Sequence, residues 1–409
     1  MVVAPSRGYE RRDEVRAAAG LRRLLWGRGV SALGDGLWFT IWALYFTRVL
    51  HMPPVTVGLA MAVAGGLGLA TAIPLGALAD RFDARLVLVS VTVVRGVAMA
   101  CYALPADTWT FVLVTAVFVA PANGATAVRT ALVAALVPGT EARVAALARQ
   151  RVAQHVGYAL GAAAGSAVLA ADDASAYAVA VVANAASFAL LAALTLAVPA
   201  TPARPAREGR PGAGLVLRDR PYLVVMGVTS LLSLCWAMVS TGLPLWIAGS
   251  TRLPLWLSGV AVFAGSAGIA ALQIFVTRFT GTVARAARTV VWAGVLLAVS
   301  CVLLATTGGA AGVWGIAVVM AAALFHLAGE LGYVGGSWGL SVALMREDAR
   351  GAYQGASEAA TATVQMFAPA VFTLALTTFA AGGWLLVAAV FVACALPVPA
   401  LARWAGRTR

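Results

Sequence analysis

Asp35 stands inside an apolar run, and Trp38 and Trp42 follow it at i+3 and i+7, so the acid and two indoles share one helix face. A carboxylate beside aromatic rings suits a cationic or aromatic ligand. Arg28 lies seven residues earlier, and Arg95 falls midway along another apolar run. Either can supply the counter-charge of Asp35, so an ion pair with a structural or switching role is expected. His326 and Glu330 form a second group at i and i+4 on one face, crowded by Gly329, Gly332, Gly335 and Gly336. Imidazole titrates near neutrality and burial can bring a carboxylic acid into the same range. The two together can take up and release a proton, with Glu330 the stronger candidate. Glu358, between Gln354 and Gln365, is a third candidate for a polar cavity or for an interfacial position.

These groups are notable because of what surrounds them. Of 409 residues, 61% are hydrophobic and 11% charged, with a mean hydropathy of +0.89. A soluble domain carries roughly 25% charged residues. So few charges cannot cover a water-soluble surface of this size, which excludes a soluble enzyme, a nucleic-acid-binding protein and a disordered chain. Placing a charge at bilayer depth costs about 2.5–3.5 kcal/mol, so those that remain line a polar cavity or pair with one another.

A bilayer-crossing helix needs roughly 20 apolar residues. Twelve runs qualify, at about 24–49, 55–79, 86–104, 109–136, 146–170, 175–197, 222–248, 255–277, 287–306, 312–343, 355–378 and 383–402. The ten-residue alternation of a membrane β-barrel is absent, and the first run is too long for a cleavable signal peptide. The expected fold is an all-α polytopic membrane protein with twelve transmembrane helices in two six-helix pseudo-symmetric halves. All 29 basic residues are Arg. With twelve alternating crossings, 24 of them fall on one side and only Arg48 and Arg252 on the other. That asymmetry predicts both termini in the cytoplasm. The net charge of +13 is then a topology signal and an attraction to the lipid bilayer, not a nucleic-acid footprint.

The expected domains are a cytoplasmic tail over 1–23, a six-helix half over 24–198, a Pro- and Arg-rich cytoplasmic linker over 199–221, a second half over 222–403 and a tail over 404–409. An echo between Arg81-Phe82 after the second run and Arg278-Phe279 after the eighth is consistent with duplication. Pro121, Pro244 and Pro369 interrupt runs and are candidate hinges. Cys101, Cys235, Cys301 and Cys394 sit in apolar runs without ligand spacing, so no metal, disulfide or other cofactor is expected. Neither a phosphate-binding Gly-x-x-x-x-Gly-Lys-Ser/Thr loop nor a His-Glu-x-x-His zinc motif occurs, so no enzymatic activity is expected.

The run Pro74-Leu75-Gly76-Ala77-Leu78-Ala79-Asp80-Arg81-Phe82-Asp83-Ala84-Arg85 resembles the charged turn between the second and third helices of the major facilitator superfamily. Asp83-Ala84 departs from the Gly and basic residue frequent there. The resemblance implies a conformational latch formed by Gly76, Asp80, Arg81 and Arg85, with Asp80 capping the next helix. Ser31-Ala32-Leu33-Gly34-Asp35 resembles the opening of the macrolide-efflux-like drug:proton antiporter branch. Gly157, Gly161 and Gly165 line one face of the fifth run and permit tight helix packing. Ala162 stands where the antiporter signature places Pro.

The resemblance implies a secondary transporter in a bacterial inner membrane, monomeric, exchanging protons for a lipophilic drug or secondary metabolite. It implies alternating access and a cavity lined by the first, fourth, seventh and tenth helices. A proton-coupled importer, for example of a metallophore, is the alternative within the same fold; a non-transporting sensor or scaffold fits the buried acids poorly.

Overall fold

The computed structural model describes residues 7–104, 107–137, 140–200, 213–276, 280–346 and 350–407. Among these residues every regular element is helical. The order is α1 (Arg7–Leu44) with a π turn (Tyr45–Val49), α2 (Pro54–Arg81), α3 (Ala84–Cys101), α4 (Thr108–Val119), α5 (Pro121–Leu136), α6 (Thr140–Ala171) and α7 (Ala174–Leu196). After the short α8 (Ala213–Arg218) come α9 (Arg220–Ser230), α10 (Leu234–Ala237) and α11 (Leu243–Ser250). The chain ends with α12 (Trp256–Val276), α13 (Val283–Ala305), α14 (Gly312–Leu344), α15 (Arg350–Phe379), α16 (Ala381–Ala395) and α17 (Val398–Arg407). All twelve apolar runs are helical. Among the described residues, nine helical stretches are long and apolar enough to cross a membrane, and Trp256–Leu272 is a shorter apolar one. α1 and α6 carry Arg and acidic residues that lower their hydropathy. Large apolar side chains such as Trp109, Trp292 and Trp314 stand exposed on the helix faces, the arrangement that lipid rather than water favours.

Three runs are broken, each beside a Pro; in the twelfth, Leu396 and Pro397 separate α16 from α17. Pro121 lacks the N–H that would continue the fourth run, so α4 stops at Val119 and α5 begins at the proline. Thr71 donates its hydroxyl to the Ala120 carbonyl at 2.8 Å, supplying a partner at the break. In the seventh run a 3-10 turn (Leu231–Ser233) precedes α10 and a π turn (Met238–Gly242) follows it, with Pro244 opening α11. Changes of helical pitch within one span interrupt the regular hydrogen-bond ladder and cluster at functional positions. Pro369 is carried inside α15.

The chain divides into two compact units. One holds Met1–Trp38, Leu67–Gly161 and Ala178–Ala206; the other holds Phe39–Gly66, Ala162–Tyr177 and Arg207–Arg409. The linker residues 201–212 and the pair Arg278-Phe279 lie outside the described residues.

In the first unit α1 and α6 touch backbone to backbone. A Cβ on Gly161 would stand 2.6 Å from the Leu37 nitrogen, and one on Gly157 would stand 2.8 Å from the Ala32 Cβ. Only glycine allows this approach. Gly165, further along α6, is also buried. A separate apolar cluster joins α3 and α5 through Leu88, Val91, Val128 and Leu132. The second unit is centred on large buried side chains, among them Tyr222, Trp246, Tyr353, Phe372, Trp384 and Phe391.

Candidate functional site

Each unit carries a buried polar group that includes sequence-predicted site residues. In the first unit Arg28 donates from Nη1 to Asp35 Oδ2 at 3.0 Å, the i, i+7 partnership that spacing along α1 allows. Side-chain exposures are 9% and 14%, so the pair is largely shielded from solvent screening. The Arg28 guanidinium also hydrogen-bonds the Tyr158 hydroxyl from α6. Tyr158 is brought close because Gly36 has no Cβ; one there would stand 2.7 Å from the Tyr158 Cα.

Arg95 departs from the expected ion pair. Its Nε donates to the Phe118 carbonyl at 3.0 Å, and its guanidinium carbon lies 4.8 Å from the ring centres of both Phe118 and Phe188. Phe118 sits beside the Pro121 break, where carbonyls are available, and two aromatic faces replace a carboxylate as the cation's surroundings. Asp35 is committed to Arg28, although its charge still reaches Arg95.

Arg129, on α5, is 6% exposed and feels the charges of Arg28, Asp35 and Arg95. Sequence reasoning gave it no role, because a lone Arg in an apolar run does not reveal its neighbours. His155 on α6 is partly buried and lies within the electrostatic reach of Arg28 and Arg151.

The two tryptophans near Asp35 pack rather than line an open space. Trp38 stacks on Tyr102 at 5.3 Å between ring centres and meets Phe118 edge-on at 6.4 Å. Trp42 is buried and meets Phe46 at 6.2 Å.

In the second unit His326 and Glu330 face one another across a turn of α14, with Nδ1 3.8 Å from Oε2. The other ring nitrogen, Nε2, lies 2.8 Å from the Cys235 carbonyl. A carbonyl only accepts, so Nε2 carries hydrogen and the neutral imidazole leaves Nδ1 as a lone pair aimed at Glu330. Cys235 belongs to α10, between the 3-10 and π turns. Trp236, its neighbour, hydrogen-bonds Glu330 through the indole and meets the ring of Tyr333 edge-on at 5.9 Å.

The Tyr333 hydroxyl hydrogen-bonds Ser233 and Thr361. Gln365 on α15 donates to the Ser233 carbonyl at 2.6 Å and to its hydroxyl at 3.1 Å. Three helical stretches therefore meet in one polar network. Glu358 is exposed on α15 and reaches Tyr333 by charge alone. Nothing in the sequence marked Cys235, Trp236 or Ser233. Pro244, a few residues on, was the available signal that this span is irregular.

The charged turn after α2 is organised differently from its expectation. Asp83, not Asp80, caps α3, accepting from the Arg85 backbone N–H at 2.9 Å and pairing with Arg85 Nε at 3.3 Å. The helix begins at Ala84, which leaves Asp80 inside α2. Arg85 also donates to the carbonyls of Val198 at 3.0 Å and Leu196 at 3.3 Å, tying the turn to the end of α7. Arg81 is exposed. The side chains of Gly76 and Asp80 lie outside the described residues. One further run, Gly335-Gly336-Ser337-Trp338-Gly339, has the spacing of a hydrolase nucleophile elbow. It lies within α14 rather than at a strand-to-helix turn and cannot serve as one.

No curated protein sequence matches the chain. Solved structures resemble it in fold. The nucleoside transporter NupG aligns with a TM-score of 0.74 at 14% identity, covering 93% of this chain and 98% of its own. A POT family transporter in complex with 5-aminolevulinic acid aligns at 0.74 and 13%, covering 94% and 96%. A bacterial homolog of the human lysosomal transporter Spinster, inward-facing and unoccupied, aligns at 0.68 and 14%, covering 96% and 97%. The Major Facilitator Superfamily profile matches residues 24–369. With that match across most of its length and an all-helical multi-pass architecture, the chain belongs to the Major Facilitator Superfamily and is a secondary transporter.

Proposed function

We propose that this transporter is proton-coupled and that Glu330 and His326 hold and release the coupling proton. The observation that carries the reading is the pinned imidazole, with Nε2–H fixed on the Cys235 carbonyl and Nδ1 bare toward Glu330. Two protonation states follow. In the loaded state the proton sits on Glu330 as a neutral acid beside a neutral His326, or on Nδ1 as an imidazolium paired with the carboxylate. In the released state the proton has left to water, and the Glu330 carboxylate beside the neutral imidazole is held by the Trp236 indole N–H. Because Cys235 lies in the irregular part of its span, a change of pitch there moves the acceptor that fixes the ring. Proton occupancy and helix geometry are thereby linked, as a switch requires.

The direction we propose is export of a lipophilic drug or secondary metabolite, as an antiporter working by alternating access. The opening of the first span and the aromatic packing around Trp38 support it. The chain resides in a bacterial cell membrane as a monomer with both termini cytoplasmic, a reading supported by its Arg distribution. The latch role of Gly76, Asp80, Arg81 and Arg85 rests on the resemblance of that turn, with the bonds from Arg85 to the end of α7 as its physical support. A second reading, uptake of a polar solute, is favoured by the buried polar contacts of Arg28, Asp35 and Tyr158, which exceed what a lipophile needs.

The test is flux in everted membrane vesicles carrying the full chain. Glu330→Gln is expected to abolish dye accumulation driven by a proton gradient while exchange of labelled for unlabelled solute persists. Proton-driven accumulation at the wild-type rate in Glu330→Gln and in His326→Gln would end the coupling proposal.

A further inference from the structure

Two buried guanidinium groups, a partly buried third and one partly buried carboxylate lie within electrostatic reach of one another in the first unit. Arg28 is 7% exposed and Arg129 is 6% exposed. Their charges, with those of Arg95 and Asp35, act on one another. Asp35 is spent on Arg28 at 3.0 Å. Arg95 is satisfied by the Phe118 carbonyl and by two aromatic faces. What remains is Arg129, which among the described residues has no acid within ion-pair distance. Its Nε is buried with no acceptor, and the Nε of Arg28 is buried with no acceptor as well.

A buried cation without a counter-ion costs several kcal/mol, and a buried donor without an acceptor adds to that cost. A fold with this surplus is completed by something that brings negative charge and acceptor oxygens. Guanidinium groups match carboxylate, sulfonate and phosphate oxygens, often two at a time.

We propose that the transported solute carries an anionic group, of carboxylate, sulfonate or phosphate chemistry, which docks on Arg129 with Arg28 as a second donor. The polar group is packed among aromatic side chains, with Phe118 and Phe188 both against Arg95, and on that ground the solute is taken to be an amphipathic organic anion. This deepens the export reading and rests on the chain moving a solute. It does not rest on which residue carries the proton.

The test uses the full chain in nanodiscs of phosphatidylcholine, with thermal unfolding as the readout. Probes are 2-naphthoate, naphthalene-2-sulfonate and inorganic phosphate at millimolar concentration, with 2-naphthamide as the neutral control. At least one anion is expected to raise the unfolding temperature where the amide does not. Arg129→Gln should weaken that binding by tenfold or more, and Arg129→Lys should restore part of it. Without anion, Arg129→Gln should unfold at or above the wild-type temperature, because it removes an uncompensated buried charge.

Three outcomes would each overturn the proposal. None of the anions stabilises the protein. Arg129→Gln binds them as the wild type does, or unfolds well below it without anion. Nanodiscs containing phosphatidylglycerol give the Arg129-dependent stabilisation while soluble anions give none, which would assign the site to a lipid headgroup. Glu330→Gln should keep anion binding intact. Proton-driven accumulation at the wild-type rate in Glu330→Gln, with Arg129-dependent binding retained, would remove the coupling proposal and leave this one standing.

Discussion

Replacing Asp35 by Asn isolates the electrostatics of the first unit. Among the described residues, Asp35 is the one carboxylate whose charge acts on Arg28, Arg95 and Arg129 together. The variant keeps the side-chain shape and leaves two buried cations and one partly buried cation with no acid among the described residues that acts on all three. Removing one member of a buried ion pair costs about 3–5 kcal/mol. Side chains 9% and 14% exposed admit some water, which favours the lower end. At about 2 °C per kcal/mol for a chain of this size, the unfolding temperature should fall by roughly 6 °C.

Adding Arg28→Gln on the Asp35→Asn background removes the orphaned cation and should recover most of that loss. The coupling energy in the double-mutant cycle would then be about 2 kcal/mol or more. Tryptophan fluorescence on heating, in nanodiscs without added anion, gives all four values. An Asp35→Asn variant that melts with the wild type would refute the reasoning. So would a double variant whose loss is the sum of the single losses.

Gly161→Leu drives a side chain into the backbone of α1, where even a Cβ lies 2.6 Å from Leu37 nitrogen. Overpacking of this kind should cost about 1–3 kcal/mol or more, seen as a lower unfolding temperature and reduced membrane yield. Asp83→Ala removes the cap of α3 and should cost about 1 kcal/mol, whereas Asp80→Asn should slow turnover more than it weakens solute binding, read as a fall in maximal rate at nearly constant half-saturation. The Ser175 side chain and nearby backbone N–H groups hold the Asp173 carboxylate below its usual range at the start of α7. The group's folded-state affinity for protons is depressed, so its contribution is present above the unfolded value and is lost as pH falls through the folded one. Hydrogen exchange at residues 174–177 should therefore quicken in acid, and Ser175→Ala should move that transition to higher pH.

The helices were legible in the sequence because apolar runs of membrane length have little alternative in oil. The Arg28–Asp35 pair was legible because seven residues return a helix to the same face, and His326 with Glu330 was legible through the i, i+4 rule. Other features depend on partners that no spacing along one helix reveals. Arg95 turned to a carbonyl beside the Pro121 break instead of to Asp35. Cys235 and Trp236 became partners of His326 and Glu330 through pitch changes in the seventh span, which only Pro244 hinted at. The cap of α3 fell on Asp83 because α2 runs on to Arg81, two residues past the expected end of the second run at 79. Trp42 shares a face with Asp35 on paper, yet its ring is buried against Phe46.

The central claim is that Glu330 and His326 exchange a proton during transport. Infrared difference spectroscopy of the reconstituted protein, recorded between acidic and alkaline buffer, observes this directly. A carboxylic-acid carbonyl band is expected that appears as protons bind, vanishes in Glu330→Gln, and shifts its pH midpoint in His326→Gln. An identical spectrum in the wild type and Glu330→Gln would contradict it.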